Sequence, residues 1–162
     1  MMGKQLTNIC KYIMVFALAI ALVGCDENRV FDQNTELTDR SWDYENTLSY
    51  EVEIADTNLR YNVYVNLRHT NQYTNSNLWV LLYTTFPSGE KLERRVELPL
   101  ASKEGKWYGN HSGSIVNHQI QIQENAIFPE KGTYRFEIEQ NMRRNPLGEI
   151  LDVGLRVEKA LK

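Results

Sequence analysis

The side chains that invite a search for chemistry are His69, His111 and His118, the serines Ser112 and Ser114, and the acid pair Glu137 and Glu139. A zinc site needs histidines or cysteines at short, fixed spacings so that their donors converge on a tetrahedron. His111 and His118 lie seven positions apart across Ser112-Gly113-Ser114, which matches no such spacing, and no cysteine is near enough to assist. We expect these histidines in surface loops, with no metal bound. Ser112 or Ser114 beside a histidine has the ingredients of a nucleophile and its base. The Gly-x-Ser-x-Gly turn that would hold such a serine strained and exposed is missing. Glu137 and Glu139 would share one face of a strand, as paired glycosidase carboxylates can, but outward-facing acids on a strand are ordinarily just solvated. No phosphate-cradling glycine loop and no calcium loop is present. The chain reads as a non-enzyme without a cofactor.

What remains is aromatic. Trp79, Tyr83, Trp107 and Tyr108 have the rings for a flat stacking platform, yet each could equally anchor a core. We read Trp79 and Tyr83 as core anchors. Trp107-Tyr108, held between Gly105 and Gly109 in an irregular stretch, is the better candidate for a contact surface. Local packing is the competing reading for that pair as well.

One further residue has a definite chemistry. Cys25 follows Leu22-Val23-Gly24 at the end of an apolar run from Tyr12 to Val23, behind a leader carrying Lys4 and Lys11. The run is too short to span a bilayer, which takes about 20 residues, and fits the apolar core of a secretory signal. A small residue directly before a cysteine, with Leu two positions earlier, resembles the lipobox of bacterial lipoproteins. There the thiol receives a diacylglyceryl group and the cysteine becomes the new N-terminus. We therefore expect residues 1–24 to be removed as a signal peptide and Cys25 to carry lipid that holds the domain on a membrane.

The elements that must position these residues follow from composition and periodicity. The charge of −3 becomes more negative once Lys4 and Lys11 leave, and no basic stripe exists to release counterions, so nucleic acid is excluded as a partner. Cys10 leaves with the leader and Cys25 is committed to lipid, which rules out a disulfide; nine tyrosines and three tryptophans must supply core area instead. Residues 25–46 are acidic and irregular and read as a lipidated tether, with Val30-Phe31 and Trp42 as its possible points of contact.

From Leu48 the chain alternates. Leu48, Tyr50, Val52 and Ile54 mark one strand, and Tyr61, Val63, Val65 and Leu67 a second. Leu78–Phe86 is apolar on both faces, as suits a strand covered on both sides. Further strands run through Val96–Leu100, Ile120–Ile122, Tyr134–Ile138 and Leu151–Val157. Seven short strands with turn signals between them predict an all-β antiparallel β-sandwich of the jelly-roll kind over residues 47–162.

Several stretches together resemble the GldH family of gliding-motility lipoproteins of the Bacteroidota. They are Cys25–Phe31, Tyr61–Arg68, Ser76–Trp79 leading to Thr85–Gly89, Gly105–Trp107, Phe128–Tyr134, Phe136–Arg143, and Pro146-Leu147 running into Ile150–Arg156. The resemblance covers nearly the whole chain after the leader, in order. It implies an envelope lipoprotein needed for gliding in organisms that glide, tied to the type IX secretion apparatus, with envelope proteins as partners. Similar proteins occur in relatives that do not glide. The family brings no catalytic residue, so only the lipid-bearing Cys25 carries over. The acids Asp26 and Glu27 behind the cysteine are compatible with either membrane; the outer membrane is the expectation. A carbohydrate-binding surface lipoprotein using Trp107 and Tyr108 is the alternative.

Overall fold

Leu48, Tyr50, Val52 and Ile54 are all buried, as are Tyr61, Val63, Val65 and Leu67 on the next strand. The alternation read from the sequence is therefore the inside and outside of a sheet. In the computed structural model residues 27–161 are described, so the leader and Cys25 lie outside the described residues. The strands are β1 (Arg29–Glu36), β2 (Ser41–Trp42), β3 (Leu48–Ile54), β4 (Tyr61–Thr70), β5 (Asn77–Thr85) and β6 (Lys91–Pro99). They continue with β7 (Asn110–Ser112), β8 (Ile115–Ala126), β9 (Gly132–Gln140), β10 (Leu147–Gly148) and β11 (Ile150–Lys159).

Two antiparallel sheets enclose one core. The first has the order β1-β11-β4-β8-β7 and the second β3-β9-β5-β6, with β2 and β10 pairing separately. Counting only the long strands β1, β3, β4, β5, β6, β8, β9 and β11, the sheets read first-eighth-third-sixth and second-seventh-fourth-fifth. That is the strand order of a jelly roll, as expected from the sequence. Between the sheets lie Tyr50, Val65, Leu78, Phe136, Ile138 and Leu155, each at most 1% exposed. Aromatic rings close one end of the core, where Phe128 meets Tyr134 at 4.8 Å and Tyr61 at 5.3 Å.

Residues 29–42 are part of this sandwich, which corrects the reading of 25–46 as a tether. β1 pairs with β11 along its length, from Arg29↔Glu158 to Glu36↔Asp152. Phe31 packs edge-on against Tyr50 at 6.2 Å. Trp42 is fully buried and donates its indole N–H to the Asn46 carbonyl at 2.9 Å. The strand escapes a hydrophobic-pattern search because polar side chains hold it. Arg156 reaches Asp32 at 2.9 Å, and Asn66 donates to Asp32 at 3.0 Å and to Asn34 at 3.1 Å. Opposite Asn34 stands Gly154, where any Cβ would collide with the Asn34 side chain and the Gln33 carbonyl. A glycine there lets β1 close onto the sheet.

The sandwich has two distinct ends. At the N-terminal end, Lys159 pairs with Tyr61, which pairs with Ala126, while Ile54 pairs with Gly132. The loops 55–60, 86–90 and 127–131 lie here, with the start of β1. Loops 37–47, 71–76, 100–109 and 141–149 gather at the far end. Ten-residue β4 joins the two, a span of about 30 Å at roughly 3.3 Å per residue.

Candidate functional site

The expectation of surface-loop histidines fails for two of the three. His69 and His118 are buried, 0% and 7% exposed, because each continues an inward series: Tyr61, Val63, Val65, Leu67, His69 on β4, and Val116, His118, Ile120 on β8. Their rings lie 5.0 Å apart at an interplanar angle of 19°, and the two Nε2 atoms are 3.0 Å apart. His69 Nδ1 is 2.7 Å from the Thr70 carbonyl, so it must carry a proton and donate. His69 Nε2 is then bare and accepts from the Nε2–H of His118. With both rings neutral, as burial favours, each is in a defined tautomer.

Burial pushes His69 below its ordinary value, with the Thr70 carbonyl opposing and His111 adding to the fall. His118 is pushed down to about 4 by burial, then by His69 and His111. Gly109 packs flat on His118: a Cβ there would stand 2.9 Å from the ring's Nδ1 and 2.5 Å from the Asn117 carbonyl. His111, Ser112 and Ser114 stay exposed on the β7–β8 hairpin. Among the described residues no group of three or more histidines, cysteines, aspartates or glutamates could hold a metal ion.

The structure separates Trp107 from Tyr108. Trp107 is half-buried, its ring 4.6 Å from that of His69 and 6.5 Å from that of Tyr73, a lid on the histidine pair. Tyr108 is 65% exposed beside it.

Trp79 and Tyr83 are not core anchors. On β5 the inward side chains are Leu78, Val80 and Leu82, while Trp79, Leu81 and Tyr83 form a half-buried stripe on the outer face of the second sheet. Here the apolar character of both faces does not mean a covering layer. Neighbouring strands cover the stripe with their own side chains. The Arg95 guanidinium lies 4.1 Å over the Trp79 ring, and the Lys91 ammonium 4.4 Å over Tyr83. Leu81 sits between Arg95 of β6 and Glu139 of β9. Lys91 also pairs with Glu137 at 3.1 Å. Glu137 and Glu139 thus flank an aromatic stripe on an open sheet face. At its far end the stripe runs into a groove of about 440 Å³ lined by Trp79, Met142, Arg95, Arg143 and Arg144 among others, with no acid in its wall.

The sequence profile described as GldH lipoprotein matches residues 29–157, from the start of β1 to Val157 within β11. The chain belongs to the GldH lipoprotein family. A "Gliding motility lipoprotein GldH homolog" from Christiangramia forsetii is 30% identical over 156 residues, covering 92% of this chain and 94% of that protein. "Gliding motility lipoprotein GldH" from Flavobacterium johnsoniae is 30% identical over 148 residues, covering 87% and 91%. Among solved structures, a non-crystalline-cellulose-specific carbohydrate-binding module is 7% identical at TM-score 0.43, covering 85% of this chain and 78% of that one. Dimeric latent PorU from Porphyromonas gingivalis is 9% identical at TM-score 0.36, covering 86% of this chain and 14% of that one. Likenesses this loose carry nothing about function.

In this GldH chain the two features that sequence reading missed had different visibility. The buried histidines were detectable by extending each alternation one step further, past Leu67 and on from Val116. The covered stripe was not, because which cations lie over Trp79 and Tyr83 depends on the β5–β6 register and not on any local pattern.

Proposed function

We propose that the chain is a lipid-anchored, non-catalytic docking module of the bacterial cell envelope, held to a membrane through lipid on Cys25. Its work is protein contact with the gliding or type IX secretion machinery, from the outer membrane. Family membership and the relatives' names support the motility setting, and Leu22-Val23-Gly24-Cys25 supports the anchor.

The observation that carries the docking reading is the outer face of the second sheet. Trp79, Leu81, Tyr83 and Arg95 place aromatic and arginine side chains side by side on an open surface, the residue types that dominate protein interfaces. The acid-free arginine groove at its far end suits a carboxylate-bearing partner segment. Glycan capture is disfavoured by the same geometry. A sugar ring needs a bare aromatic face, and Arg95 and Lys91 already occupy those of Trp79 and Tyr83. In the Trp107-Tyr108 loop only Tyr108 stands clear.

Two measurements bear on this. Cys25→Ala should leave a longer precursor that takes up no fatty-acid analogue, whereas the mature wild-type protein labels; an unlabelled wild-type protein would remove the anchor. Crosslinking through a photoreactive residue at position 81 should capture an envelope protein. A glycan array that lights up, with no protein captured, would favour the carbohydrate reading instead.

A further inference from the structure

Cys25 and the first strand are close in sequence: β1 opens at Arg29, four residues on. Even fully extended, four residues reach at most about 14 Å. Resting on the reading that Cys25 carries the lipid, this short reach keeps Arg29 within about 14 Å of the lipid's attachment point, against a headgroup layer roughly 5–8 Å deep on each side. Whatever lies level with Arg29 is thereby held at or beside that layer.

The backbone pairing says what lies level with it. Lys159 donates its N–H to the Asn28 carbonyl at 2.8 Å, and Ala160 donates to the Arg60 carbonyl at 2.8 Å. Ala126 pairs with Tyr61 one strand further along. Just beyond these positions stand Ile127, 57% exposed, and Leu161, 79% exposed. Leu92, 47% exposed, is the second residue of β6 from the same end. The exposed large hydrophobics of the far end are both tyrosines: Tyr44, whose hydroxyl donates to the Met142 carbonyl at 2.7 Å, and Tyr108. Exposed charges at the N-terminal end are mixed: Arg29, Arg60, Lys131 and Lys159 against Glu27, Asp56, Glu90 and Glu124. Apolar insertion, not attraction to lipid charge, is therefore the contact this end can make.

We propose that the N-terminal end of the sandwich rests on the lipid bilayer, with Ile127 and Leu161 dipping into the headgroup layer. The protein then stands upright, and the arginine groove and Tyr108 face away from the membrane at a height of about 30 Å, set by β4.

A nitroxide label tests the pose. Cys10 leaves with the leader and the Cys25 thiol is bonded to lipid, so an introduced cysteine is the single free thiol of the mature chain. Ile127→Cys and Tyr108→Cys both change exposed side chains, and circular dichroism verifies that each variant folds. The lipidated variants are placed in vesicles of phosphatidylethanolamine and phosphatidylglycerol, and collisions with oxygen and with a nickel chelate are compared. The label at 127 should be shielded from the chelate several-fold more than the label at 108. Equal chelate access at both sites, or deeper burial at 108, would overturn the pose. The mass of the N-terminal peptide is read first: a peptide without lipid defeats the anchor and the pose with it, while a lipidated peptide with an exposed 127 label defeats the pose alone.

Discussion

Replacing Trp42 by alanine should destabilise the domain by about 3–5 kcal/mol, the usual cost of emptying a large aromatic site in a core. Trp42 is completely buried, its indole N–H is bonded to the Asn46 carbonyl, and its own carbonyl lies 3.5 Å from the buried Gln140 amide. Truncation would leave a cavity and strip the Asn46 carbonyl of its indole donor. With domain stabilities of about 5–15 kcal/mol, such a loss brings the fold near its limit. A chain shortened to begin at Asn46 should fare worse, since it also loses β1 and leaves the edge of β11 unpaired. Urea unfolding of chains beginning at Glu27 and at Asn46, followed by circular dichroism, distinguishes the two accounts of residues 29–42. Were the shorter chain as stable as the longer one, these residues would be a tether after all.

Acid should weaken the fold in a window set by the histidine pair. An unfolded histidine titrates near 6.5, while burial holds His118 at about 4 and His69 below its ordinary value. Between those values the unfolded chain binds protons that the folded one refuses. The stability contributed by the neutral pair is therefore complete above about 6.5 and falls as pH drops towards 4. The His118 shift alone corresponds to about 3–4 kcal/mol, at about 1.4 kcal/mol per unit, and His69 acts in the same direction. Asp152 has the opposite sign. Burial raises its pKa despite the Arg68 guanidinium 2.8 Å away, so its protonation favours the folded state as pH falls. The check is the urea midpoint between pH 7 and about 5.5, above the range where ordinary carboxylates titrate. His118→Asn should flatten the slope over that range. A wild-type midpoint independent of pH there would mean that the two rings are not buried neutral.

What the sequence made legible follows from contrast. Strands β3, β4 and β9 alternate large apolar residues with mostly polar ones, so one register buries the apolar set and a one-residue slip would expose all of it. Strand β1 offers only Val30 and Phe31 on that pattern. Its place is secured by its backbone ladder to β11, by the Asp32–Arg156 pair and by the bare Gly154 opposite, none of which shows in the segment itself. His69 was legible only by carrying the alternation one step past Leu67; a polar residue at the end of an apolar series otherwise reads as the start of a loop. Leu78–Phe86 was recognised as a central strand, but cation–π contacts from Lys91 and Arg95 do the covering that a second layer was expected to do.

The central claim is that function resides in the outer sheet face and not in a catalytic group. Complementation of a deletion strain tests it, with the level and folding of each variant verified. Leu81→Arg adds a charge to the middle of the stripe without touching the core, and Ser114→Ala and His111→Asn remove enzyme-like groups from exposed sites. A folded Leu81→Arg protein should fail to restore the phenotype while the other two restore it. Full rescue by Leu81→Arg, with loss of function in Ser114→Ala or His111→Asn, would contradict the account and point to chemistry at those residues.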